Sequence, residues 1–104
     1  MKKYRVIVAD RARTMLGTHI KFVTKVSRQA ADDTKKRLMA AIRSLTNMPE
    51  RFPFIDSEFI PRNKYRKMPV ENWYLVLYQI KGNIVYVDYI GDCRQDYSWL
   101  LLDH

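Results

Sequence analysis

Trp73-Tyr74-Leu75-Val76-Leu77-Tyr78-Gln79-Ile80 and Ile84-Val85-Tyr86-Val87-Asp88-Tyr89-Ile90, joined through Lys81-Gly82-Asn83, are two nearly continuous β-prone runs. β-Branched and aromatic side chains pack well on a pleated surface, and Gly82-Asn83 suits a two-residue hairpin turn. Both faces of the runs are apolar, so they predict a central hairpin covered on at least one side. A third run, Tyr65 to Val70, predicts another strand. Pro69 sends it to an edge or a bulge, because proline gives a sheet no N–H.

Upstream, all four prolines (Pro49, Pro53, Pro61, Pro69) fall between residues 49 and 69. They mark a connecting region that holds only short strands. Phe52, Phe54, Ile55, Phe59 and Ile60 make it too apolar for a solvated linker, so it should pack along the domain. Before it, apolar spacing changes from two to three and four. Ala12, Leu16, Ile20, Val23 and Val26 predict an amphipathic helix with Asp10 as N-cap, ending near Val26. Ser27 then caps a second helix with a stripe of Ala31, Thr34, Leu38, Ala41, Ile42 and Leu45, ended by Asn47 and Pro49. The short break predicts an antiparallel helical hairpin. Tyr4 to Ala9 reads as a first strand. After Gly91, read as a turn, the tail from Asp92 to His104 predicts a short helix or docked segment. The order β-α-α-β-β-β predicts an α+β fold, a helical hairpin packed on a small mostly antiparallel sheet, as a single domain over 1–104.

The composition bounds the function. The chain has 104 residues, 47% of them hydrophobic, and a formal charge of +8. That is enough to bury a core without disulfides or metal. Cys93 is the one cysteine, and His19 and His104 are the only histidines, so no metal-ligand spacing is present. No apolar run approaches the roughly 20 residues that span a bilayer, and the Val6 to Ala9 run is too short for a signal peptide. The reading is a cytoplasmic protein with no membrane partner, metal or cofactor. Residues 1–67 hold 17 of the 19 Lys+Arg but only 6 of the 11 Asp+Glu. Solvated helix faces account for such a bias as well as a polyanionic partner does; a nucleic acid or an acidic protein segment is the sharper reading.

No phosphate-cradling glycine loop or Ser/His/Asp arrangement occurs. His19, beside the first helix's stripe, reads as structural, and Cys93 reads as an inert thiol. The informative segment is Pro61-Arg62-Asn63-Lys64-Tyr65-Arg66-Lys67-Met68-Pro69. On a strand, Lys64 and Arg66 share a face with Met68, while Tyr65 and Lys67 take the other. Paired cations can stabilise a pentavalent phosphate, and a tyrosine can activate the attacking hydroxyl; a basic edge strand that resists pairing explains them equally. Arg62, Lys64, Arg66 and Lys67 are the candidate nucleic-acid-binding residues. Arg94 and Tyr97, in Gly91-Asp92-Cys93-Arg94-Gln95-Asp96-Tyr97, could reach back toward Arg66, or Asp96 could pair with Arg94 or Arg66.

These segments resemble a known family. The element order, Asn47-Met48-Pro49-Glu50-Arg51-Phe52-Pro53, Tyr65-Arg66-Lys67-Met68-Pro69-Val70 leading into Tyr74-Leu75-Val76-Leu77-Tyr78, and the closing Gly91-to-Tyr97 stretch are similar to the RelE/ParE toxins of bacterial type II toxin–antitoxin systems. The resemblance implies a growth-arresting toxin whose cognate acidic antitoxin wraps its helices and sheet. RelE-like members cleave mRNA in the ribosomal A site without a metal, using basic residues on the sheet and a C-terminal tyrosine or histidine; ParE-like members lack that set and poison DNA gyrase. In a RelE-like nuclease the strand equivalent to residues 65–70 carries two lysines two residues apart. Here the first position is Arg66 and the second is Met68, and the next strand's arginine falls at Leu75. Arg94, or Cys93 if the register is displaced by one, stands at the last cation. The resemblance leaves two targets, the ribosome with its mRNA or DNA gyrase. The candidate catalytic residues are Arg66, Lys64, Arg94 and Tyr97. The alternatives are a non-catalytic gyrase poison and an inactive, antitoxin-binding relic.

Overall fold

The computed structural model describes residues 3–58, 60–71 and 74–92. The expectations for Phe59, Trp73, Cys93, Arg94, Asp96, Tyr97 and the tail helix lie outside the described residues. Strands β1 (Arg5–Val8), β2 (Arg66–Val70), β3 (Tyr74–Lys81) and β4 (Ile84–Asp92) form a sheet in the order β1-β4-β3-β2. β1 pairs with β4 in parallel, and the other two pairings are antiparallel. Gly82 makes the β3–β4 turn at φ 62°. Helices α1 (Asp10–Thr24) and α2 (Arg28–Arg43) form the expected hairpin on one face.

Three local expectations are corrected. Asp10 is the first helical residue and not the cap: Ala9 precedes α1 with extended backbone and no side-chain bond, its carbonyl accepting from Arg13 N. Asp10 in the first turn instead complements the helix dipole. Val26 does not continue the apolar stripe. α1 stops at Thr24, and Phe22 and Val26 are 70% and 82% exposed. Gly91 is not a turn: β4 runs on to Asp92, with Gly91 opposite Leu75. Ser27 caps α2 as its type predicts, its hydroxyl accepting from Ala30 N at 3.1 Å.

The core has two parts. Between helices and sheet lie Ala12, Leu16, Leu38, Ile42 and Leu45, packed on Met68, Val76, Tyr78, Val85, Val87 and Ile90. On the sheet's other face Leu75, Leu77 and Tyr89 lie beneath Ile55, Ile60 and Tyr65. A bulge between Leu77 and Tyr78 separates the pairs Leu77↔Tyr89 and Tyr78↔Val87 and leaves Asp88 as the extra residue. It re-phases β4, so Val87 and Ile90 face the helices while Tyr89 faces away. Asp88 is satisfied there by the Tyr65 hydroxyl at 2.9 Å and Gln79 Nε2 at 2.7 Å.

The outer edge of β2 is partly paired. Ile55 N donates to Tyr65 O at 2.8 Å, Lys67 N to Pro53 O at 2.9 Å, and Phe54 bridges Arg66. The next outward-facing position is Pro69, which has no N–H, so the strand leaves no orphan donor there.

Candidate functional site

Arg66 stands opposite Tyr78 in the β2–β3 ladder, and both side chains turn to the proline-rich segment. Tyr78 donates to Pro49 O at 2.6 Å. Arg66 Nη1 donates to Phe52 O at 2.7 Å and Glu50 O at 3.1 Å, and its guanidinium lies 4.2 Å from the centre of the Phe54 ring. Arg51 reaches the Asn47 and Met48 carbonyls and the Ser44 hydroxyl at the end of α2. The Asn47-to-Phe52 stretch, which enters a one-turn 3₁₀ helix from Met48 at φ 48°, is thus tied down by two arginines and a phenol. Arg66 has a structural task whatever else it does.

Beside this anchor, beyond the start of β2, opens a groove of about 390 Å³. Arg62 and Lys64 line it from the turn around Asn63, Arg66 from β2 and Lys81 from the end of β3, with Phe54 and Gln79. Three of the sequence candidates, Arg62, Lys64 and Arg66, therefore come together. Lys67 does not; it points to the opposite face of β2, half-buried. Lys81 and Phe54 were missed in the sequence because only strand register brings positions 54 and 81 to position 66.

The two positions at which this chain departs from the RelE-like basic set are both interior. Met68 is 2% exposed in the helix-side core, and Leu75 is 3% exposed under Ile55 and Ile60. Nor do the nearby tyrosines offer a base. Burial, reinforced by the bond to Asp88, pushes the Tyr65 phenol well up; burial raises Tyr78 to about 12, with Arg66 and Arg51 opposing it. Both stay protonated at neutral pH.

A second groove, of about 460 Å³, lies among α1, α2 and β1. Its lining is apolar, with Val8, Leu16, Ile20, Met39 and Ile42, flanked by exposed Arg13 and Lys35. It continues along β1, an outer strand of the sheet, past Arg5 and Arg43. Gly17 lies in its wall, where a Cβ would meet nothing within 4 Å.

A mixed four-stranded sheet carrying a helical hairpin on one face, with two grooves flanked by cations, defines a small toxin-like fold. The chain belongs to the ParE toxin family of the parDE type II toxin–antitoxin system, whose family model matches residues 6–97. Its fold is similar to that of a chain from the chromosomal ParDE toxin–antitoxin system of Pseudomonas aeruginosa. That match has a TM-score of 0.72 at 15% identity and covers 88% of this chain and 98% of that one. A conserved hypothetical protein from Helicobacter pylori matches with a TM-score of 0.59 at 10% identity, covering 88% and 97%. YafQ from Escherichia coli matches with a TM-score of 0.52 at 15% identity, covering 88% and 96%. No curated protein matches in sequence.

Proposed function

We propose that this ParE-family chain arrests growth by binding DNA gyrase and not by cleaving RNA, and that an acidic antitoxin segment silences it from the helix-side groove. The observation that carries the first part is the closed second face of the sheet. Leu75, the one RelE-like cation position on that face, is 3% exposed beneath Ile55 and Ile60, and Met68, the other substituted position, is 2% exposed in the helix-side core, so neither place could present a cation to solvent. Losing preorganised charge of that kind costs several kcal/mol of transition-state stabilisation, on the order of 10²–10³ in rate per donor. Arg66, the surviving first cation, spends its hydrogen bonds on the Glu50 and Phe52 carbonyls. With the nuclease set incomplete, the resemblance to gyrase-poisoning members supports DNA gyrase as the target.

The antitoxin reading rests on the second groove. Its aliphatic lining suits the apolar stripe of an amphipathic segment, and Arg5, Arg13, Lys35 and Arg43 around it suit acidic flanks. The test of target is induction of the chain without its antitoxin, with DNA and protein synthesis pulse-labelled in parallel. DNA synthesis should fail first, with cleaved chromosomal DNA. Arrested translation over intact DNA would instead support the ribosome-dependent nuclease built on Arg66, Lys64, Arg94 and Tyr97.

A further inference from the structure

We infer that the groove formed by Arg62, Lys64, Arg66 and Lys81 around Phe54 binds the phosphodiester backbone of a nucleic acid strand. Four cations from three elements converge on it, and among the described residues no carboxylate lines it. Asp56 lies in an adjoining dent that shares Phe54 and Arg62 with it. Elsewhere Arg37 has Glu71 at 3.4 Å, but Arg62, Lys64 and Lys81 have no carboxylate at ion-pairing distance among the described residues. Like charges gathered in this way repel one another, and a bound polyanion removes that cost while releasing its own counterions.

Phe54 separates a nucleic acid from an acidic peptide as the occupant. The ring is 40% exposed, and the Arg66 guanidinium covers it at 4.2 Å. The carbonyls of Glu50 and Phe52 fix that guanidinium in place, so ring and cation form a rigid platform on which a base can stack. Apart from Phe54 the groove's apolar lining is Ile80, which gives an amphipathic peptide little to bury; the helix-side groove offers that instead. Which nucleic acid enters rests on the function proposed above. That the groove takes a phosphodiester strand does not.

The test is fluorescence anisotropy with the purified full chain and labelled strands of about 12 nucleotides, DNA and RNA, over a salt series. The wild type should bind with log K falling against log salt at a slope of roughly −2 to −3, as three or four phosphate contacts on a single strand require. Lys64→Glu with Lys81→Glu should weaken binding by more than tenfold and flatten the slope. Both side chains are exposed, so the fold should survive. Arg28→Glu makes the same kind of charge change at the start of α2, where a negative charge suits the helix, and should change little. No binding, equal weakening by Arg28→Glu, or competition by a glutamate peptide of equal charge would each overturn the inference. DNA bound as well as RNA or better supports it together with the gyrase reading. A strong preference for RNA supports the groove while contradicting gyrase as the target.

Discussion

The two grooves carry similar charge and differ in what lies between the charges. The helix-side groove, with its continuation along β1, sets Arg5, Arg13, Lys35 and Arg43 around aliphatic side chains; the β2 groove sets Arg62, Lys64, Arg66 and Lys81 around one aromatic ring. A ligand that must bury apolar surface to be held goes to the first, and one that brings phosphates and flat bases goes to the second. Net charge alone, +8 over the chain, does not distinguish partners. The surface between the cations does.

The largest effect that could break this comparison comes from filling the helix-side groove. At Gly17, in the wall of the open groove, a Cβ would meet nothing within 4 Å, so Gly17→Phe should place its ring in the groove and lower antitoxin affinity by about a hundredfold, roughly 3 kcal/mol, with thermal melts checking that the fold survives. Isothermal titration checks this. Oligonucleotide binding at the other groove should stay unchanged, and a joint loss would mean the grooves are one surface.

Next comes a contrast inside the β2 groove. Arg66→Ala removes two hydrogen bonds from a charged donor to backbone carbonyls and should cost roughly 2 kcal/mol of stability in urea melts. Exposed Arg62→Ala should stay within about 0.5 kcal/mol. Growth assays of Arg66→Ala alone therefore mix folding with function, and Lys64 and Lys81 are the cleaner probes.

A comparable effect follows from pH. Unfolded tyrosine ionises near 10, while folded Tyr78 holds its proton to about 12. The unfolded state therefore releases its proton first. The stabilisation is whole below pH 10 and is lost as pH rises toward 12, by roughly 2 kcal/mol. Thermal melts across that range should show the fall, and Tyr78→Phe should reduce it, leaving the share carried by Tyr65, whose phenol is also pushed up by burial. A smaller change, of opposite sign, is expected of Gly17→Ala, which should raise stability by about 0.5–1 kcal/mol, because alanine favours the helix and its methyl meets nothing.

Local signals in the sequence foretold the local structure. Gly82-Asn83 marks the hairpin, Ser27 the start of α2 and Pro69 the edge strand, because each acts on backbone within a few residues of itself. The bulge at Asp88 is not readable in that way. Strict alternation would set Tyr86, Asp88 and Ile90 on one face, yet Ile90 lies in the helix-side core, and only the pairing of β3 with β4 decides where the extra residue goes. The stripe through Val23 and Val26 likewise misleads, because periodicity does not say that α1 ends at Thr24. In the site, Arg62, Lys64 and Arg66 stand out as a charge run. Lys81 and Phe54 join them through tertiary register, and Arg66's anchoring task depends on carbonyls more than a dozen residues away.

The most direct test of the division between grooves is growth of cells that express either of two variants, with and without the cognate antitoxin. With Lys64→Glu and Lys81→Glu together, cells should grow even without antitoxin, while the variant still binds it. With Arg13→Glu and Lys35→Glu together, cells should arrest, and antitoxin should fail to rescue them. The opposite pattern, arrest by the first variant and rescue of the second, would contradict the account.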